Sequence, residues 1–294
     1  MTKLKYTFKS DIIFKMLFVK YPKLLKKLVA VLLKINVESI EQFEIRNPEM
    51  PPESLGDKFC RLDINMTVNG ELVDLEIQVE DEGNYPERTL LYWARDYSNA
   101  LPSGNDYDQL LKVVSISIIG YKLFDCKEFH SEFRPLEVKR HELLTDKMSI
   151  HYFELTKLPD YVDANNELQM WLALFKANTE EELVKIENME VPIMNQTIDA
   201  YRRLTVSPEF YEAQRLYYKA RHDEAQALRN AELKGMRKGK LEGMREGELK
   251  MRRTKLNIAK HLIQINIPTD KIIEATNLTY EEIKTLSDES KFEM

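Results

Sequence analysis

Two stretches of the chain alternate between polar and apolar positions: Arg61-Leu62-Asp63-Ile64-Asn65-Met66-Thr67-Val68 and Glu71-Leu72-Val73-Asp74-Leu75-Glu76-Ile77-Gln78-Val79. A period of two is that of a strand with one buried face. Between them stands Asn69-Gly70, a dipeptide suited to the two left-handed positions of a tight hairpin turn. The pattern predicts a β-hairpin whose register can be counted. A two-residue loop pairs Val68 with Glu71. Each outward step then sets Asn65 opposite Asp74, Asp63 opposite Glu76 and Arg61 opposite Gln78. Leu62, Ile64 and Met66 fall on the other face with Val73, Leu75 and Ile77, an apolar set able to pack on helices.

Helical periodicity dominates elsewhere. Residues 10–35 read as two helices separated at Tyr21-Pro22, with Ser10 or Asp11 as the first cap and Phe14, Leu17 and Phe18 at helical spacing. A proline-rich loop follows at 47–52. Helix returns over 85–101 with Pro86 at its start and Tyr92, Trp93 and Tyr97 along it. The β-branched run 112–119 and the stretch 149–155 predict strands, and 164–232 predicts mainly helix.

Gly235, Gly239, Gly243 and Gly247 recur every four residues. On a helix they form one narrow stripe, which reads as close helix–helix approach in an oligomer or as a flexible charged spacer. Helical periodicity resumes over 254–265. Residues 268–276 and 277–283 then read as helix, turn, helix, with Thr279 and Glu282 as a capping box. That hairpin is either a DNA-reading helix-turn-helix or a structural one, and Glu281 and Glu282 speak against the first.

Composition narrows the class. The chain has 294 residues, 43% hydrophobic and 31% charged, which is that of a soluble globular protein. The two cysteines, Cys60 and Cys126, form no CxxC pair, so a cytoplasmic setting is the reading. The five histidines show no zinc-ligand spacing. No segment approaches the roughly 18 apolar residues of a membrane span. The net charge of -6 argues against coating DNA by bulk electrostatics, although 234–255 carries nine basic and three acidic residues.

The chemistry sits on the hairpin. Directly opposed side chains are about 4.5–5.5 Å apart at Cβ, and like charges there repel. Asp63 and Glu76 therefore call for compensation. Mg²⁺ suits them, because it takes one or two carboxylates and keeps waters and phosphate oxygens around it. Gln78 points the same way and can orient water, while Arg61 can contact phosphate. The competing reading is a solvated polar face whose charges meet Arg61 or Lys58. Asp74 and Glu80 share that face and fit either reading.

The order Asp63…Glu76-x-Gln78 resembles the PD-(D/E)XK nuclease motif, with glutamine in the lysine position. Four further features resemble the bacterial Rpn-type recombination-promoting nuclease/transposase family: Ser10-Asp11-Ile12-Ile13-Phe14-Lys15, the run Arg88-Thr89-Leu90-Leu91-Tyr92-Trp93-Ala94-Arg95, the glycines every four residues, and Ala275-Thr276-Asn277-Leu278. The resemblance spans nearly the whole chain.

It implies an α/β fold with a restriction-endonuclease-like core, a mixed sheet flanked by helices, over 1–232, and a C-terminal helical extension over 233–294 for oligomerisation or DNA contact. It further implies Mg²⁺- or Mn²⁺-dependent DNA endonuclease activity, with Asp63, Glu76 and the backbone carbonyl of Ile77 as metal ligands. Gln78 would replace the lysine, Asp11 would sit near the site, and Arg88 and Tyr92, four apart on one helix face, would reach it or the phosphate. Core packing remains open for Tyr92. Glutamine can hydrogen-bond but carries no charge, so the substitution bears directly on turnover.

Overall fold

A computed structural model describes residues 2–46, 63–101 and 106–292. The proline-rich loop, Arg61 and Leu62 lie outside the described residues. Inter-residue contacts divide the chain into two units, Met1–His222 and Asp223–Met294.

The first unit is built on a six-stranded sheet. Its strands are β1 (Phe43–Ile45), β2 (Ile64–Val68), β3 (Glu71–Gln78), β4 (Val113–Ile119), β5 (His130–Phe133) and β6 (Met148–Glu154), in spatial order β1-β2-β3-β4-β6-β5. β2 runs antiparallel to both β1 and β3, β4 runs parallel to both β3 and β6, and β5 closes the far edge antiparallel to β6. The sheet is therefore mixed. Its hairpin has the counted register: Val68 pairs with Glu71, Asn65 with Asp74 and Ile64 with Leu75. Asn69 and Gly70 take φ of 48° and 83°, the two left-handed positions the turn requires.

Helices cover the two faces. The helices are α1 (Asp11–Lys20), α2 (Pro22–Leu33), α3 (Tyr85–Asn99), α4 (Glu167–Lys176), α5 (Glu180–Glu187), α6 (Pro192–Thr205) and α7 (Pro208–Gln264). Ile64, Met66, Val68, Val73, Leu75 and Ile77 are all buried in one core with α1, α2, α4 and α6, where Phe14, Phe18, Trp171 and Phe175 meet ring to ring. Burying several aromatic side chains of this size supplies a large share of the hydrophobic stabilisation. Nearly every residue of α1 between Ile12 and Phe18 is buried, Lys15 among them. The opposite face carries α3, with Tyr85, Ile119, Ile150 and Tyr152 as a smaller cluster.

Two short strands had no sequence signal. β1 has only three residues, and β5 (His-Ser-Glu-Phe) alternates too weakly to stand out; both are edges and owe their form to their neighbours' hydrogen bonds.

The second unit opens within α7. The glycine-bearing segment is continuous helix, and a Cβ at Gly235, Gly239, Gly243 or Gly247 would meet no atom within 4 Å. The end of α7 packs with α8 (Thr269–Thr276) and α9 (Tyr280–Phe292) around Ala259, Ile272, Leu278, Ile283 and Leu286. Asn277 makes the turn at φ 54°, a conformation asparagine tolerates. Thr279 and Glu282 cap α9 reciprocally: the Glu282 carboxylate accepts from the Thr279 backbone N–H at 2.8 Å and the Thr279 hydroxyl accepts from Glu282 N–H at 3.3 Å. No helix among the described residues is long and apolar enough to cross a membrane.

Candidate active site

The polar face of the hairpin comes to a focus at the carboxyl end of β3. Strand alternation sends Asp74, Glu76 and Gln78 toward α3 while Ile77 keeps its side chain in the core, 6% exposed, so only the backbone of Ile77 can serve a ligand. Asp63 immediately precedes β2, one step past the last ladder pair Ile64–Leu75. Its carboxylate accepts from Asn65 Nδ2 at 2.8 Å, and its carbonyl accepts from Lys15 Nζ at 2.9 Å. Lys15 is 1% exposed. A buried ammonium is costly unless hydrogen-bonded, so this contact fixes α1 to the start of β2.

Glu76 is held from the other side. Tyr85, the first residue of α3, donates its hydroxyl to Glu76 Oε2 at 3.1 Å. One turn on, Arg88 Nη2 reaches Glu76 Oε1 at 3.4 Å and Gln78 Oε1 at 2.9 Å. The same guanidinium pairs with Glu82 and lies 4.8 Å from the centre of the Tyr85 ring. Gln78 spends its amide N–H on the Glu80 carbonyl at 2.8 Å, which aims its oxygen at Arg88. The charge absent from Gln78 is thus present on Arg88, a residue Gln78 itself orients. Gly120 makes the backbone here possible: its N–H donates to the Gln78 carbonyl at 2.8 Å, and a Cβ would sit 3.2 Å from the Val79 carbonyl.

Between these groups lies Asp74. Its Oδ1 is sealed from solvent and has no hydrogen-bond partner. Burial first, then the charges of Asp63, Glu76 and Asp96, push its carboxyl well above the ordinary carboxylate range. Tyr85 is likewise pushed up, by burial and by Glu76. Carboxylates have been crowded here against their own repulsion.

The other sequence-predicted residues are more dispersed. Asp11, at the start of α1, accepts from the Tyr217 hydroxyl at 2.8 Å; burial raises its carboxyl, opposed by Tyr217 and Arg221, with Glu80 adding to the rise. It therefore borders the chain just beyond Gln78. Tyr92 follows Arg88 by one turn of α3, with the Arg95 guanidinium 5.9 Å from its ring centre. Arg61 lies outside the described residues. Neither Lys15, which enters only through the Ser10–Lys15 motif, nor Tyr85 stands out as a site residue in the local pattern, because their partners are 48 and nine residues away.

The donor set fits a hard divalent cation. Asp63, Asp74 and Glu76 offer carboxylate oxygens, one of them buried and unpartnered, and Ile77 offers a carbonyl. Among the described residues no group of three or more Asp, Glu, His or Cys side chains is placed to hold a metal ion together. Mg²⁺ needs no such group, since it keeps several waters and takes one or two carboxylates.

A sequence profile of the family described as PD-(D/E)XK nuclease family transposase matches residues 8–231. That span covers every described residue of the site. Searches of the curated proteins and of the solved structures give no significant match.

Proposed function

From the premise that this chain belongs to the PD-(D/E)XK nuclease family transposases, we propose that it is a Mg²⁺-dependent DNA endonuclease, with Mn²⁺ as a substitute, acting in recombination or transposition. The observation that carries this reading is the carboxylate crowding at Asp63, Asp74 and Glu76 beside the Gln78–Arg88 pair. Asp63, Glu76 and the Ile77 carbonyl would hold the cation. When bound, such a cation activates water and neutralises charge developing on a phosphodiester.

The chain's own groups divide the remaining work. Tyr85 and Lys15 fix Glu76 and Asp63 from opposite sides. Arg88 is a fork-shaped donor suited to phosphate oxygens, and Gln78 holds it where the lysine of the motif would stand. Its pairing with Glu76 and Glu82 keeps the guanidinium within the site until a phosphate competes for it. Tyr92, one turn along α3, and Asp11, on α1, would border the site, and Arg61, in the segment leading into Asp63, would add a further phosphate contact.

Incubation of supercoiled plasmid with the protein and Mg²⁺ tests the proposal. Nicking by the wild type that disappears in Asp63→Ala, Glu76→Ala and EDTA supports it. Equal nicking by all three proteins rejects it.

A second reading, a catalytically weak DNA-binding oligomer of the same fold, draws on the uncharged Gln78 and on α7. Leu233, Met236, Leu241, Met244 and Leu249 are exposed along that helix, and its glycine positions leave space for a second helix. DNA retention that is independent of metal, with no cleavage, would select this reading.

A further inference from the structure

A second polar cluster lies on the opposite face of the sheet from the carboxylates. Glu76 pairs in register with Ser117 and Ser117 with Tyr152, so His151, the next residue along β6, faces the other way. His151 is the central residue of β6, level with Leu75 of β3 through Ile116, so what separates the cluster from Glu76 and Gln78 is the thickness of the sheet. Here a cavity of about 400 Å³ opens between the end of α2, the hairpin turn and the β5–β6 edge. This is the size of a small-ligand pocket.

Its floor is a hydrogen-bonded chain: His130 Nε2 lies 3.1 Å from His151 Nδ1, and His151 Nε2 lies 3.2 Å from Ser149 Oγ. Around it stand Lys34, Lys112 and Arg134. Glu71 pairs with Lys112 and Glu132 with Arg134, leaving Lys34 without an ion-pair partner among the described residues. Leu33, Ile35 and Val68 form an apolar wall. The lining thus carries three cations against two carboxylates, with Lys34 the cation in excess.

We propose that this pocket binds a small phosphate-bearing anion, with the phosphate against Lys34, His130 and Arg134 and any organic body against Leu33 and Ile35. The pocket is enclosed on several sides and semi-apolar, which suits a phosphomonoester better than the convex backbone of a duplex. The proposal stands apart from the nuclease site, since it uses none of its residues.

Protonation should accompany binding. Burial drives His151 down to about 4, and His130, Arg134 and Lys112 add to that effect while Glu132 opposes it. Burial and Lys34 lower His130, again against Glu132. Both imidazoles are therefore neutral at pH 7, and an arriving anion raises them, so that the complex takes up a proton and tightens as pH falls. Glu71, across the pocket, is engaged by Lys112 and leaves that sign unchanged.

Isothermal titration of the full chain in EDTA with inorganic phosphate and with deoxyadenosine monophosphate tests this. Saturable binding is expected at pH 6, weaker at pH 8, with proton uptake read from two buffers of different ionisation enthalpy. Lys34→Gln and His130→Gln should each loosen it by about tenfold, the scale of one charge-assisted contact, and Glu76→Gln should leave it unchanged. Tighter binding of the nucleotide identifies a nucleotide site, and equal affinities identify a phosphate site. Absence of saturable binding for both probes overturns the proposal, as does binding insensitive to Lys34→Gln and His130→Gln or abolished by Glu76→Gln.

Discussion

Asp74→Asn is the substitution that most sharply tests whether the carboxylates are crowded for a cation. In the folded chain burial, Asp63 and Glu76 raise the Asp74 carboxyl, so the native state binds this proton more tightly than the unfolded chain. Its contribution is thus fully favourable below the ordinary carboxylate value of about 4 and is lost as pH rises toward the folded value. Each pH unit in that interval is worth about 1.4 kcal/mol. Since pH 7 lies about three units higher, the loss is capped near 4 kcal/mol. Coulomb's law gives the same order: two unit like charges about 7 Å apart at an effective dielectric of about 20 repel by about 2 kcal/mol. Asparagine preserves the shape and removes the charge. In EDTA at pH 7.5, urea unfolding should find Asp74→Asn more stable than wild type by about 1–3 kcal/mol, with the difference vanishing near pH 4. Adding Mg²⁺ should stabilise the wild type more than the variant. A variant that is equally or less stable at pH 7.5, with no change in its Mg²⁺ response, would refute the crowding argument.

Three further outcomes follow from other contacts. Arg88→Met removes the cation beside Glu76 and Gln78; plasmid nicking should fall on the order of 10²-fold, and the melting temperature lost in EDTA should be recovered by Mg²⁺. Lys15→Met deletes the donor to the Asp63 carbonyl; with circular dichroism unchanged, nicking should drop by about tenfold, the scale of one misdirected ligand group, and unchanged nicking would deny Lys15 a positioning role. Gly239→Ala with Gly243→Ala places methyl groups in open space; each should raise the helix's stability by up to about 1 kcal/mol. If α7 self-associates through that stripe, sedimentation should show the oligomer weakened while the helix is strengthened.

Much of this fold can be read along the chain because its strongest signals are local. Asn69-Gly70 fixes the hairpin register by turn geometry alone, and strand alternation then assigns each side chain to a face. The fully buried run of β4 and the Thr279/Glu282 cap are equally local. What escapes is made by distance. Lys15 looks like a polar position on an amphipathic helix, yet α1 is buried almost all round and its ammonium has to find the carbonyl of Asp63. The change from lysine to Gln78 looks like a loss until α3 brings Arg88 to its side chain. The edge strands β1 and β5, and the histidine cluster that β5 completes, depend on pairing between segments that carry little strand signal of their own.

The central claim is that Asp63 and Glu76 hold a divalent cation. A crystal soaked in Mn²⁺ and measured at the manganese edge tests it most directly. One anomalous peak is expected about 2.1–2.3 Å from carboxylate oxygens of Asp63 and Glu76, absent from Glu76→Ala. A crystal in which Arg88 remains on Glu76 and no peak appears at saturating Mn²⁺ would contradict it.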